Sequence, residues 1–469
     1  MSVKLIARIL GPVLFFVMLL VPHTEVDEPS WRVLALAVWM LTWWLTETVH
    51  LAVTALLPLI VLPLAGVMPL KEVSPNYANP LVYLFFGGFI LALAIEKWNL
   101  HKRIALHIIK LTGTSTMRIF LGFMLATAFL SMWISNTATA VMMLPIALSV
   151  IDLIDVEKKT KLAVLMLIGL AWSANIGGMA TLIGTPPNLV LAGFMKEELN
   201  REIFFSEWIV FGLPLSIALL IISYLLLGML MPRTQRQRSS EDAGRLIQSE
   251  LEKLGPLRKG EKRVLVVFIL TALAWILRKQ LVDITGWEEL SDTVIALLAG
   301  LVLFAMPAEE INGKRLLVWK DTRRLEWGIL ILFGGGLALA GAIQQSTWVL
   351  RIGDAIGAMD LNNALLLIGV IAVMGVFLTE VISNMALVTA LLPLIVAIAA
   401  GSNTDFFELA LPLTLGSSCA FMLPMATPPN AIVFSSGRLT VATMARFGFV
   451  MNLLAIVCII AVSYFLILN

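Results

Sequence analysis

The sequence predicts an all-α polytopic membrane protein, with eleven transmembrane spans plus two re-entrant hairpins in an inverted repeat. Three observations predict it. The 469 residues are 59% hydrophobic and 14% charged, with a mean hydropathy of +0.94, whereas a soluble domain carries about 25% charge. A polar cluster inside an apolar run, Ser131, Ser135, Asn136 and Thr137 followed by Pro145, has a twin in Thr379, Ser383, Asn384, Met385 and Pro393. The differences 379 − 131, 383 − 135, 384 − 136 and 393 − 145 all equal 248. Finally, lysine and arginine concentrate in alternate loops, as the positive-inside rule requires of a multi-pass chain.

A span needs about 20 predominantly apolar residues. Such runs lie near 4–22, 32–48, 51–69, 80–99, 161–195, 208–231, 263–283, 291–307, 327–357, 406–436 and 445–468. The first follows Lys4 and Arg8 and lacks a small-residue cleavage site, so it reads as an uncleaved span. The twin clusters fall in two further segments, 117–152 and 361–400, each apolar, broken by polar residues and closed by a proline. These read as re-entrant hairpins, because non-helical backbone at membrane depth persists only where protein or a water-filled cavity surrounds it. The spans at 161–195 and 406–436 are interrupted by Gly184, Thr185, Pro186, Pro187 and Asn188, and by Ala426, Thr427, Pro428, Pro429 and Asn430. Paired prolines remove backbone donors and stop a helix.

One set of loops carries Lys4, Arg8, Lys102, Arg103, Lys110, Lys158, Lys159, Lys161, the run Arg233 to Arg263, the run Lys314 to Arg324, Arg438 and Arg446. The alternate set holds Glu25, Asp27, Glu28, Glu197, Glu198, Glu288, Glu289 and Asp405. The first set is therefore cytoplasmic, with the N-terminus inside and the C-terminus outside. Residues 232–262 read as a solvated, partly helical cytoplasmic connector, and 101–115 as an amphipathic helix on the same face. Phe86, Gly87 and Gly88 match Phe333, Gly334 and Gly335 at an offset of 247, and Thr185 to Asn188 match Thr427 to Asn430 at 242. Three ordered elements thus occur twice, with opposite membrane entry, and transporters of this organisation place substrate and ion sites at the repeat interface.

Neither hairpin tip, nor either Thr-Pro-Pro-Asn break, contains Lys, Arg or His. An anion there must be held by helix-start N–H groups and by Asn and Thr side chains. Unpaired carbonyls at the opposite ends suit a hard cation such as sodium. By the repeat, Ser131, Ser135, Asn136 and the Gly184 carbonyl form one candidate cation site. Thr379, Ser383, Asn384 and the Ala426 carbonyl, with Ile382 beside them, form the other. The plainer alternative is that these hydroxyls and amides only satisfy hairpin backbone or join helices. Glu47 and Glu380 are intramembrane acids; a structural carboxylate near a helix end is preferred over a proton relay. Trp31, Trp39, Trp43 and Trp44 read as interfacial belts and packing.

These motifs, with Trp43 to Glu47 and the run Ser418 to Phe434, resemble the divalent anion/sodium symporter family of INDY-type di- and tricarboxylate transporters, over nearly the whole chain. The resemblance implies an elevator-type homodimer with scaffold spans at 1–79 and 263–326, repeat cores at 80–231 and 327–469, and the linker between. It implies import of C4-dicarboxylates such as succinate, or citrate, coupled to Na+ and with no organic cofactor, in a bacterial inner membrane among its lipids. Carried over, Ser135, Asn136, Thr137, Thr185, Pro186, Ser383, Asn384, Met385, Thr427 and Pro428 would bind substrate. Met385 departs from the family's usual Thr. A sodium-independent anion exchanger or a sulfate transporter on the same fold is the alternative. An enzyme would need a nucleophile with a base, or a metal cluster, and the four histidines lie far from the tips in sequence. The net charge of +2 argues against a nucleic-acid partner.

Overall fold

Two helical hairpins, each bent back at a Ser-Asn pair, set the architecture. The computed structural model describes residues 3–22, 26–154, 161–231, 241–308, 315–358 and 363–465, and its regular elements there are helices, with one isolated bridge between Pro307 and Arg315. His23, Glu25, Lys158, Lys159, Lys314, the linker's first part (232–240), residues 361–362 of the second hairpin and 466–468 of the last span lie outside the described residues.

Helices α1 (Val3–Leu20) and α2 (Glu28–Thr46) pack together, and Asp27 caps α2 by accepting the Ser30 N–H. The tryptophans of α2 tie it to α1 and to the segment that follows. Trp31 and Trp43 donate to the Met18 and Arg8 carbonyls, Trp39 packs on Phe15, and Trp44 is fully buried and donates to Leu51. The expected span at 51–69 is instead two short helices, α3 (Leu51–Thr54) and α4 (Leu57–Leu64), followed by α5 (Leu70–Val73). Pro58 removes a donor in the first turn of α4, so it suits a helix start and not a continuous rod.

The first repeat runs α6 (Pro80–Lys97), α7 (Leu100–Thr112), the hairpin arms α8 (Thr116–Ser131) and α9 (Asn136–Ile154), the broken pair α10 (Leu162–Met179) and α11 (Pro186–Leu199), and α12 (Phe205–Leu230). Every residue of α10 but Val164 is buried, which makes it the central strut. Next come α13 (Glu241–Leu254), α14 (Lys259–Ile276), α15 (Arg278–Thr285) and α16 (Asp292–Ala305). The described part of the linker is not simply solvated: α13 packs on α7 and α9 and buries Ala243, Ile247 and Leu251. Lys102 pairs with Glu250 at 2.9 Å, and Arg103 with Glu261 at 2.5 Å. The predicted span at 263–283 is bent by 81° between α14 and α15.

The second repeat runs α17 (Trp327–Gln344), α18 (Trp348–Gly357), the hairpin arms α19 (Ala364–Leu378) and α20 (Asn384–Ser402), the broken pair α21 (Phe406–Ser417) and α22 (Pro428–Phe434), and α23 (Val441–Ser463). The expected single span at 327–357 is two helices. The first helix ends at Gln344, and Thr347 and Trp348 are tied to α2 by hydrogen bonds from the Thr347 N–H to Ser30 Oγ and from the Trp348 indole to the Ser30 carbonyl. α18 is the counterpart of α7, since 348 − 100 = 248. The second hairpin arms match end to end, 384 − 136 and 402 − 154 both giving 248. Pro145 and Pro393 lie inside these arms and do not close them. The paired prolines open α11 and α22 at their first positions, where a missing N–H costs nothing.

Among the described residues, seven helices are long and apolar enough to cross a bilayer, or eight if the bent α14–α15 pair counts as one. The hairpin arms α8 and α19, and α21 of the second broken pair, fall short of that length. The molecule is an all-helical polytopic membrane protein.

Candidate functional site

The hairpins meet the breaks across the two repeats. α22 of the second repeat packs on α9 and α10 of the first, and α11 of the first packs on α20 of the second. Four helices begin in this region, at Asn136, Pro186, Asn384 and Pro428. All four residues line one cavity of about 630 Å³, so four positive dipole ends converge there.

Each tip is built the same way. Ser135 Oγ accepts the Ala138 N–H, and Ser383 Oγ accepts the Ala386 N–H, which caps the second arm of each hairpin. The Ser131 hydroxyl lies 2.7 Å from Asn136 Oδ1 and 2.7 Å from the Ala174 carbonyl. The Thr379 hydroxyl lies 2.7 Å from Asn384 Oδ1 and 2.6 Å from the Ser417 carbonyl. One hydroxyl proton serves one acceptor at a time. Each cluster therefore holds three close oxygens with lone pairs to spare, a donor set suited to a hard cation. Gly178 permits the first: a Cβ there would overlap the Asn136 amide.

The breaks match as well. Asn188 Nδ2 donates to the Gly178 and Thr181 carbonyls, and Asn430 Nδ2 to the Ala420 and Leu423 carbonyls. The differences 430 − 188, 420 − 178 and 423 − 181 are all 242. Thr185 and Thr427 are extended residues preceding the paired prolines, and Thr427 Oγ1 accepts the Asn430 N–H.

All ten residues expected to touch substrate line this cavity: Ser135, Asn136, Thr137, Thr185, Pro186, Ser383, Asn384, Met385, Thr427 and Pro428. Gly184, Ile382 and Ala426 line it too. Ser131 and Thr379 do not; they are fully buried behind their asparagines. Among the described residues, the only charged ones in the lining are Glu47 and Glu326. Glu47 follows α2 in a left-handed conformation, φ 45°. Glu380 lies off the cavity, its carboxylate held by three backbone N–H groups and Asn452, a structural arrangement.

Sequence reasoning missed Asn175 and Trp172. Asn175 Nδ2 donates to the Ala420 carbonyl and Thr427 Oγ1, and the Trp172 indole to the Phe421 carbonyl, so both join the repeats. Neither residue type recurs at the matched position, where Ser417 and Thr414 stand, and no repeat signal could find them. The tethering by Asn188 and Asn430 had such a signal in their shared offset. Among the described residues, no group of three or more His, Cys, Asp or Glu side chains is placed to hold a metal.

Residues 2–468 match the sodium:sulfate symporter transmembrane region. The chain is 40% identical over 475 residues to the sodium-dependent dicarboxylate transporter SdcS of Staphylococcus saprophyticus, covering 99% of this chain and 91% of that one. It is 40% identical over 478 residues to SdcS of Staphylococcus aureus, with coverages of 99% and 91%. The solved structure of MtrF from Neisseria gonorrhoeae, described as one of a class of antimetabolite efflux pumps, superposes with a TM-score of 0.54 over 96% of this chain and 97% of that one. At 13% identity that likeness concerns the fold alone. The chain therefore belongs to the sodium:sulfate symporter family, the divalent anion/sodium symporters that its motifs resemble, and is a membrane transporter and not an enzyme.

Proposed function

We propose that this protein is a sodium-coupled symporter that imports C4-dicarboxylates such as succinate. One observation carries the reading. Two matched asparagines, each backed by a buried hydroxyl, and two proline-opened helices face a single cavity whose lining, among the described residues, contains no Lys, Arg or His. A dianion in that cavity has only helix N-termini, amides and hydroxyls to meet it, and these are partial charges. Two carboxylates need mobile countercharge, which bound sodium supplies. The SdcS relatives, named for sodium-dependent dicarboxylate transport, support the same reading.

In this proposal one sodium binds among Ser131, Ser135, Asn136 and the Gly184 carbonyl. The other binds among Thr379, Ser383, Asn384 and the Ala426 carbonyl, with Ile382 adjoining. The substrate carboxylates meet Asn136 and Thr137 on one side and Asn384 on the other, over a floor of Thr185, Pro186, Thr427 and Pro428. Eleven spans in a homodimer, set in the lipid of a bacterial inner membrane, place the N-terminus inside and the C-terminus outside. The cores at 80–231 and 327–469 move as an elevator against scaffold spans at 1–79 and 263–326. The basic loop before α17 is then cytoplasmic, so Glu47 and Glu326 mark an inward mouth.

The test is succinate uptake into proteoliposomes under an inward sodium gradient, repeated with potassium in place of sodium and with citrate and sulfate as competitors. Uptake that requires sodium supports the symporter. Sodium-independent uptake that requires internal dicarboxylate makes the protein an exchanger and empties both cation sites.

A further inference from the structure

The two breaks are not equal. α10 ends at Met179, whose partner at the shared offset of 242 is residue 421, whereas α21 ends at Ser417. The second repeat is thus unwound one turn earlier, by 421 − 417 = 4 residues. Glu380 fills the gap this leaves. Its Oε1 accepts the N–H groups of Phe421 at 2.8 Å and Met422 at 2.9 Å, and its Oε2 that of Leu423 at 2.9 Å. Asn452 on α23 donates to Oε1 at 2.8 Å. Glu380 is 3% exposed and these four partners are neutral. A buried carboxylate satisfied by backbone donors replaces the bonds a helical turn would make. The first repeat has Met132 at the matching position, and its helix continues.

The freed turn has a use. Its carbonyls at Ala420 and Phe421 receive Asn175 and Trp172 of α10, so the unwound segment is where the first repeat grips the second. At Gly448, α23 comes so close that a Cβ would overlap the Phe421 carbonyl. Glu380 also adjoins Thr379, which holds Asn384. One hairpin tip therefore fixes both the hydroxyl–asparagine pair and the segment leading to the Ala426 carbonyl.

We propose that Glu380 is a positioning residue: it holds the second break one turn more open than the first, sets the Ala426 carbonyl against Thr379 and Asn384, and exposes the carbonyls that latch the repeats together. This rests on the reading of Thr379, Asn384 and Ala426 as a sodium site. It makes sodium binding at that site, and not substrate binding, the quantity that Glu380 controls.

The test compares wild type, Glu380→Gln and Asn452→Leu in nanodiscs and proteoliposomes. Hydrogen exchange is read in peptides covering 418–426 and 176–185, and succinate uptake is read against sodium concentration. The Gln variant keeps the shape but loses the charge. It is expected to speed exchange at 418–426 and to raise half-saturating sodium, each by about tenfold, the weight of one charge-assisted hydrogen bond. Exchange at 176–185 and the succinate KM at saturating sodium stay as in wild type. Asn452→Leu removes one donor of four and shifts both readouts in the same direction by less, which serves if the Gln variant fails to fold. Unchanged exchange at 418–426 overturns the clamp. Faster exchange with unchanged sodium dependence, or an equal rise in succinate KM, overturns the link to the cation site. Wild-type uptake indifferent to sodium defeats the functional reading instead, while the exchange arm still judges the clamp.

Discussion

The hydroxyl of Thr379 sits 2.7 Å from the amide oxygen of Asn384, the distance that also separates Ser131 from Asn136. Each asparagine is held from behind by a buried residue that never reaches the cavity. Thr379→Val keeps the volume and removes the oxygen, and Ser131→Ala does nearly the same. Either is expected to raise half-saturating sodium about tenfold, the effect of losing one polar contact to an ion. Uptake measured across a sodium series checks this.

Asn136 and Asn384 combine cavity exposure with a matched position at the start of a hairpin arm. Asn136→Ala or Asn384→Ala is expected to abolish uptake while each protein still elutes as a folded species by size exclusion. Normal uptake by either variant would remove that asparagine from the site.

Met385 is buried and lines the cavity where Thr137 stands in the first repeat. Restoring symmetry with Met385→Thr adds a donor and frees space. The expected outcome is a changed order of competition among succinate, malate and citrate, read as inhibition of labelled uptake. An unchanged order would mean that residue 385 does not meet the anion.

Arg103 and Glu261 form a two-pronged ion pair with side chains 13% and 5% exposed. Glu261→Gln leaves the guanidinium charge nearly buried and half-satisfied, and a broken buried pair costs about 3 kcal/mol. A lower unfolding temperature in detergent, with unaltered sodium dependence of uptake, is the expected result.

Hydrogen bonds from Lys253 and Lys102 hold the Glu250 carboxyl below its ordinary value of 4.5. A carboxyl depressed in the folded state contributes stability that is present above the unfolded value and lost as pH falls through the folded one. The grip of α13 on α7 is therefore expected to be complete at neutral pH and to weaken below 4.5. Hydrogen exchange in a 241–254 peptide, corrected for intrinsic rate and measured against pH, checks it; Glu250→Gln should show the loosened pattern at every pH.

The repeat was legible in the sequence because its polar residues are few and stand against an apolar background. Asn136 and Asn384 announce themselves at an offset that the helix ends reproduce. Span limits were less legible where polarity changes gradually. Nothing in Gln344 to Thr347 separates a kink from an end, and what ends α17 there is a contact with Ser30, more than three hundred positions away (347 − 30 = 317). Asn175 and Trp172 were invisible for a related reason: their partners are backbone carbonyls, which every residue has. Glu380 could be recognised as an odd acid, but not as the group that opens a helical turn, because its donors are the N–H groups of residues 421–423.

The crossing of α22 onto α9 and α10 has a consequence for biosynthesis. The first repeat is complete once Met231 has left the ribosome, yet its hairpin and central strut await α22, which begins at Pro428. The intervening 428 − 231 = 197 residues take about 10–40 s to make at about 5–20 residues per second. For that interval the nascent first half keeps a polar cleft without its cover. The cavity is thus among the last parts of the molecule to assemble, and a chain cut short before α22 has every element of its first repeat but lacks one wall of the cavity.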